Sequence, residues 1–151
     1  MFNGGDDFLQ CIDAIYQSSY PIHECLVVDD ASSDGMVDVV AERFGTRVIR
    51  LENQSGPGQA RNLGVEEAEG DIIFFTDADV LLDKQAIGEA VKTLQAEPEV
   101  VAVFGSYDDQ PGHRSFLSQY RNLFHHWVHQ TGSIEASTFW TGCGAIRRDA
   151  F

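Results

Sequence analysis

Apolar residues recur along this chain with two different periods. Phe8, Leu9, Ile12, Ile15 and Tyr16 follow a helical spacing. Asp6 or Asp7 suits the N-cap of that helix, and Pro21 lies beyond its end. Cys25 to Asp29, "CLVVD", is a short apolar run of the kind found in buried strands. A polar loop, "DASSDG", leads to a second helical pattern near 34–44, with Val37, Val40, Ala41 and Phe44 on one face. "RVIRL" (47–51) predicts the next strand, and the turn-rich "ENQSGPG" leads to a helix over 59–68 with Gly70 as its C-cap. "DIIFFT" (71–76) is the strongest strand signal. A helix over 84–95, a strand over 100–105 and a helix over 115–129 follow. The tail "STFWTGCGAIRR" reads as extended chain and turns.

Strand and helix thus alternate, and the strands are apolar throughout. That pattern predicts an α/β fold with a mostly parallel sheet flanked by helices. Ligands of such sheets bind outside the carboxyl ends of the strands. Asp29 and Asp30 end the first visible strand, Asp77 and Asp79 end the third, and Asp108 and Asp109 follow the fourth. Converging carboxylates repel unless a cation or hydrogen-bond donors satisfy them. Mg²⁺ or Mn²⁺ with a phosphorylated ligand would do so. Asp29 and Asp30 fit a turn or a helix cap equally well. A cap needs one carboxylate, so Asp77 and Asp79 point to a ligand site. Asp108 and Asp109 precede Pro111-Gly112 and read as a solvated turn.

Composition narrows the partners. The 151 residues suit one domain, with 43% hydrophobic and 23% charged residues. A formal charge of −14 argues against nucleic acid as a partner. A carboxylate-held cation still permits a phosphate ligand. Cys11, Cys25 and Cys143 are widely spaced and form no CxxC, so a reduced, cytoplasmic setting is expected. No apolar run approaches the roughly 18 residues that span a bilayer. His125 and His129 are one turn apart, but the Glu of HExxH is replaced by His126, so packing or an exposed polar face is expected. Phe116, Leu117, Tyr120, Leu123, Phe124 and Trp127 are expected in the core or as a lid. Arg147 and Arg148 suit salt bridges at the surface.

"LVVDDASSDG", "GPGQARNLGVEEAEGD", "FFTDADV" and "TGCGAIRRDAF", in this order and spacing, resemble the family 2 glycosyltransferases. The resemblance implies a GT-A, Rossmann-like nucleotide-diphospho-sugar transferase fold over residues 1–151. It also implies inverting transfer from a UDP- or GDP-sugar to a hydroxyl of a glycan or lipid carrier. Phe2 and Asn3 would line the base pocket, Asp30 would bond the base beside Asp29, and Arg61 would shape the nucleotide pocket. Asp77 would meet the ribose or the metal shell, and Asp79 would hold Mg²⁺ or Mn²⁺. Trp140, Thr141, Gly142, Cys143 and Gly144 match a loop near donor sugar and acceptor.

Two departures from the family pattern carry expectations. Relatives have an apolar strand before the Phe2-Asn3 pair, so the first strand is expected to be missing. Their catalytic base is expected beyond Phe151, and Asp149 is not expected to replace it. A non-catalytic nucleotide-binding fragment and a sugar-phosphate nucleotidyltransferase are the alternatives. A homo-oligomer and attachment to the inner face of a membrane stay open.

Overall fold

The carboxyl ends of β1 and β3 are the features that position the site. The computed structural model describes residues 1–112, 114–136 and 138–151, so Ser137 of the tail lies outside the described residues. The elements run α1 (Gly5–Tyr16), β1 (Leu26–Asp29), α2 (Met36–Phe44), β2 (Arg47–Arg50), α3 (Pro57–Glu67) and β3 (Ile72–Thr76). Then come α4 (Ala86–Ala96), β4 (Ala102–Phe104), α5 (Phe116–Thr131), β5 (Cys143–Arg147) and a short 3₁₀ turn, Arg148–Ala150.

Side chains alternate along β1, so its two faces bury different neighbours. Val27 joins Phe8, Cys11, Ile12 and Ile15 of α1 and Val37 and Val40 of α2 in one core. Val28 faces α3, where Gly64 leaves room for the approach. A second core joins Val65 of α3, Phe75 of β3 and Ile146 of β5. α4 packs against β4 and β5. Helices therefore cover both faces, as the apolar strands require. Gly35 (φ 74°) and Gly45 (φ 66°) bracket α2 in the left-handed region that glycine enters without a Cβ clash.

The sheet differs from the mostly parallel arrangement expected. β1 and β2 pair in parallel. β5 runs antiparallel between β3 and β4, in the order β3-β5-β4. β3 and β4 thus run parallel to each other, separated by a reversed strand. β5 lies in the tail expected to be extended chain and turns. Gly144 within it and Gly142 just before it weakened the strand signal. Yet Gly144 is where a neighbouring strand comes closest: a Cβ there would lie 2.8 Å from the Val103 carbonyl and 2.9 Å from the Phe139 ring. Among the described residues no backbone pairing joins β1 to β3. Met1 lies beside β1, its amino group donating to the Val28 carbonyl (2.5 Å) and its carbonyl accepting from the Asp30 N–H (2.8 Å).

Several local expectations shift. α1 is capped by Gly4, with Asp6 and Asp7 in its first turn rather than at the cap. α3 ends at Ala68 instead of Gly70. The apolar residues of α5 are not core: Phe116 is 84% exposed and Trp127 60%. α5 contributes no fully buried residue, and its apolar side chains form an exposed ridge. Arg147 makes no surface salt bridge among the described residues. Its guanidinium donates to the carbonyls of Val100 (3.1 Å), Leu94 and Glu97 (3.5 Å), satisfying the C-terminal end of α4. No helix among the described residues is long and apolar enough to cross a membrane.

Candidate functional site

Asp29 and Asp30 end β1 almost fully buried, 5% and 3% exposed. Burial of two adjacent carboxylates is tolerated because donors surround them. Asp30 accepts from the Ser55 N–H (2.7 Å), the Ser55 hydroxyl (2.9 Å) and the Gly56 N–H (2.9 Å). These bonds, led by the Ser55 N–H, hold its pKa below the usual carboxylate value. Asp30 therefore fixes the turn that starts α3. Both of its oxygens face Ser55 and Gly56. Asp29 Oδ1 accepts from the Ser32 N–H (3.1 Å), and no described residue bonds its Oδ2.

The neighbouring loop is built by short polar contacts. Asn3 donates from its backbone to the Ser32 hydroxyl (3.0 Å), and its side-chain oxygen accepts from the Ser33 N–H (2.9 Å). Asp34 receives the N–H groups of Gly5 (3.0 Å) and Met36 (3.1 Å). Asn3 (φ 46°) and Ala31 (φ 63°) both sit in the left-handed region. For Ala31, whose methyl can make no compensating hydrogen bond, this costs on the order of 1–2 kcal/mol. Such strain gathers at binding sites, where surrounding bonds over-determine the backbone. Phe2 is half exposed beside this loop.

Asp77 stands one residue past β3. Its N–H donates to the Gly142 carbonyl (2.9 Å), which ties it to the turn entering β5. Its Oδ1 accepts from Arg61 of α3 (2.7 Å), a half-buried ion pair. Its Oδ2 faces Gly142, where an added Cβ would lie 3.2 Å away. The same Cβ would lie 2.6 Å from the Trp140 indole, so Gly142 leaves room for the carboxylate and the ring together. Beneath, the Cys11 thiol donates to the Asp77 carbonyl (3.4 Å). Burial pushes that thiol up to about 11, and Cys25 likewise, so both stay protonated at neutral pH. Burial also raises the Cys143 thiol. Asp79 is exposed, with no hydrogen bond or ion pair to a described residue.

The two strand ends share one electrostatic environment. The Met1 amino group has its pKa lowered, first by burial, while Asp29, Asp30 and Asp77 act on it in the opposite sense and Arg61 opposes them. Two hollows lie away from these strand ends, one against α1 lined by Leu9, Asp13, Arg43 and Leu81, the other against the apolar side chains of α5.

No group of three or more His, Cys, Asp or Glu side chains converges as a metal site among the described residues. Mg²⁺ and Mn²⁺ do not need one: they are held by one or two carboxylates, with phosphates and water completing the shell. Asp77 Oδ2, which no described residue bonds, and exposed Asp79 two residues on are oxygen donors of the kind that suits that ion. Asp108 and Asp109 are exposed, and Asp108 accepts from the Gln110 N–H (3.0 Å), the solvated turn expected.

One group at the rim was not foreseen. Tyr107 stacks on His125 (ring centroids 5.5 Å) and lies 5.5 Å from Trp140, while His129 lies 5.6 Å from Trp140. Tyr107 also follows the carboxyl end of a strand, β4. The rule that singled out the aspartates would have found it, but it was applied to charge alone.

A profile of glycosyl transferase family 2 matches residues 1–151. The chain belongs to this family. The family 2 chain is 26% identical over 122 residues to glycosyltransferase GlyG of Streptococcus pneumoniae serotype 4, covering 77% of this chain and 40% of that protein. It is 33% identical over 101 residues to glycosyltransferase AglE of Haloferax volcanii, covering 62% of this chain and 33% of AglE. The chain thus spans less than half the length of these relatives. Among solved structures it resembles the mannosyltransferase PcManGT of Pyrobaculum calidifontis in complex with GDP-Man and Mn²⁺, with TM-score 0.74, 29% identity, and coverage of 99% of this chain and 43% of that one. It also resembles the UDP complex of glucosyl-3-phosphoglycerate synthase from Mycobacterium tuberculosis, with TM-score 0.68 and 20% identity, covering 99% and 55% of the respective chains. That second likeness is one of fold. The architecture is the GT-A fold of nucleotide-sugar transferases.

Proposed function

We propose that residues 1–151 form one nucleotide-sugar-binding unit of an inverting, metal-assisted glycosyltransferase. The donor is a UDP- or GDP-sugar, and the acceptor is a hydroxyl of a glycan or lipid carrier. The observation that carries this reading is Asp77, held by Arg61 on one oxygen and opening its other oxygen toward the Gly142 turn, two residues before exposed Asp79. The relative solved with GDP-Man and Mn²⁺ supports it.

On this reading Asp77 and Asp79 hold Mg²⁺ or Mn²⁺. The bound ion supplies charge neutralisation for the departing diphosphate. Arg61 holds the Asp77 carboxylate in place through its 2.7 Å contact with Oδ1. Asp29, Asp30, Phe2 and Asn3 line the nucleotide side, and Asp30 also holds the Ser55-Gly56 turn. Trp140 to Gly144 border the sugar. The reading assigns no general base among the described residues. Free, unpaired Cys11, Cys25 and Cys143 suit a reducing, cytoplasmic setting.

Calorimetric titration of UDP and GDP, with and without Mn²⁺, tests the assignment. Binding should require the metal and vanish in Asp79→Ala. Affinity that is indifferent to metal, or preserved in that variant, would remove the basis of the proposal.

A further inference from the structure

β4 delivers the chain into a loop that α5 grips at several points. The Gly105 N–H donates to the Cys143 carbonyl (2.8 Å). The Tyr107 carbonyl accepts from the Ser106 hydroxyl (3.0 Å) and pairs with His126 Nδ1 (2.7 Å). Gln130 donates to the Ser106 hydroxyl (3.3 Å). With its backbone fixed in this way, the Tyr107 ring packs against two others. His125 stacks on it with an interplanar angle of 26°, and Trp140 lies 5.5 Å away on the side of the turn into β5. His129 contacts both Tyr107 (6.3 Å) and Trp140 (5.6 Å), with Phe104 behind it at 5.9 Å.

Trp140 connects this cluster to the carboxylates. Its indole and Asp77 Oδ2 border the same Cβ-sized space over Gly142. The order across the rim is therefore carboxylate pair, indole, phenol, imidazoles. A nucleotide-sugar whose diphosphate sits at Asp77 and Asp79 would place its pyranose against the next surface along. That surface is aromatic. Sugars are bound by laying their C–H face on aromatic rings while a few polar groups fix their hydroxyls.

We propose that Tyr107, positioned by His125 and His129 and set beside Trp140, recognises the donor sugar, its ring extending the aromatic wall and its hydroxyl donating to a sugar hydroxyl. The inference rests on the Asp77 and Asp79 reading above and adds a specificity-determining residue to it. Two further observations agree. Burial raises the Tyr107 pKa, with Asp79 and Asp77 adding to the effect, so the phenol is a neutral donor at working pH and stands in the field of the carboxylate pair. His129 Nδ1 is buried without a hydrogen-bond partner among the described residues. Burial, with His125 nearby, lowers the pKa of His129, so the ring packs as a neutral imidazole.

The experiment separates the sugar from the nucleotide. Calorimetry with Mn²⁺ measures GDP against GDP-mannose, and UDP against UDP-glucose and UDP-N-acetylglucosamine, for the wild-type chain, Tyr107→Phe, Tyr107→Ala and His129→Phe. In both Tyr107 variants, nucleoside diphosphate affinity should stay within about twofold of wild type. Loss of one neutral hydrogen bond predicts a nucleotide-sugar affinity about fivefold weaker in Tyr107→Phe. Tyr107→Ala should lose more. His129→Phe keeps a packed ring against Tyr107 and Trp140, so it should weaken the nucleotide-sugar less than Tyr107→Ala does and leave the nucleoside diphosphate within about twofold. Equal weakening of diphosphate and diphosphate-sugar, or no change in Tyr107→Phe, overturns the proposal and leaves the nucleotide site standing. Failure of the wild-type chain to bind any of these diphosphates with Mn²⁺ overturns both readings. Tyr107→Phe keeps the ring contacts, so the test survives even if Tyr107→Ala fails to fold.

Discussion

Asp30 carries one carboxylate against three donors, and all three come from two consecutive residues, Ser55 and Gly56. The sequence marked Asp30 as important because it ends an apolar strand. It did not reveal the role, because Ser55 lies 25 positions away and meets Asp30 only after folding. Asn offers one acceptor and one donor in place of two acceptors. Asp30→Asn should therefore lower the melting temperature at neutral pH. Its pKa is lower folded than unfolded, so its stabilising contribution is complete above the ordinary carboxylate range and fades as pH falls through the lower, folded value. Melting temperature recorded against pH should show a shallower acid limb in the variant than in the wild-type chain.

Elements differ in how openly the sequence declares them. α1 and α2 were legible from apolar periodicity, since Phe8, Ile12, Ile15, Val37 and Val40 all enter one core. α5 was legible as a helix but not in its environment. Phe116, Leu117, Tyr120 and Leu123 follow a core-like spacing yet stand outside. Periodicity gives the face of a helix, while the neighbour that covers the face comes from the rest of the fold. β5 was missed because glycine carries neither β-propensity nor hydrophobicity. Its glycine is a packing requirement. Gly144→Ala would push a methyl group onto the Val103 carbonyl and the Phe139 ring. It should cost about 1–3 kcal/mol, the usual range for overpacking. Urea denaturation should show the midpoint falling with little change in slope.

At the scale of the whole molecule, the formal charge of −14 opposes compaction, and buried Asp29 and Asp30 add to the negative field at the rim. The melting temperature should rise between low salt and about 0.15 M NaCl, where the Debye length falls to about 8 Å. Mn²⁺ should raise it further than its ionic strength explains, because an ion bound only by the folded state stabilises that state. Asp79→Ala should keep the salt response and lose the added effect of Mn²⁺ in the same thermal scans. By itself the sequence determined the α/β class, the order of elements from α1 to α5, and the placing of Asp29, Asp30, Asp77 and Asp79 at strand ends. These follow from local periodicity and from the rule that strand ends face ligands. Tertiary structure alone decided that β5 runs reversed between β3 and β4, that Arg61 grips Asp77, and that Tyr107, Trp140 and His129 meet beside the carboxylates. Those contacts join residues far apart in the chain, and no local pattern records which distant partner a side chain will find.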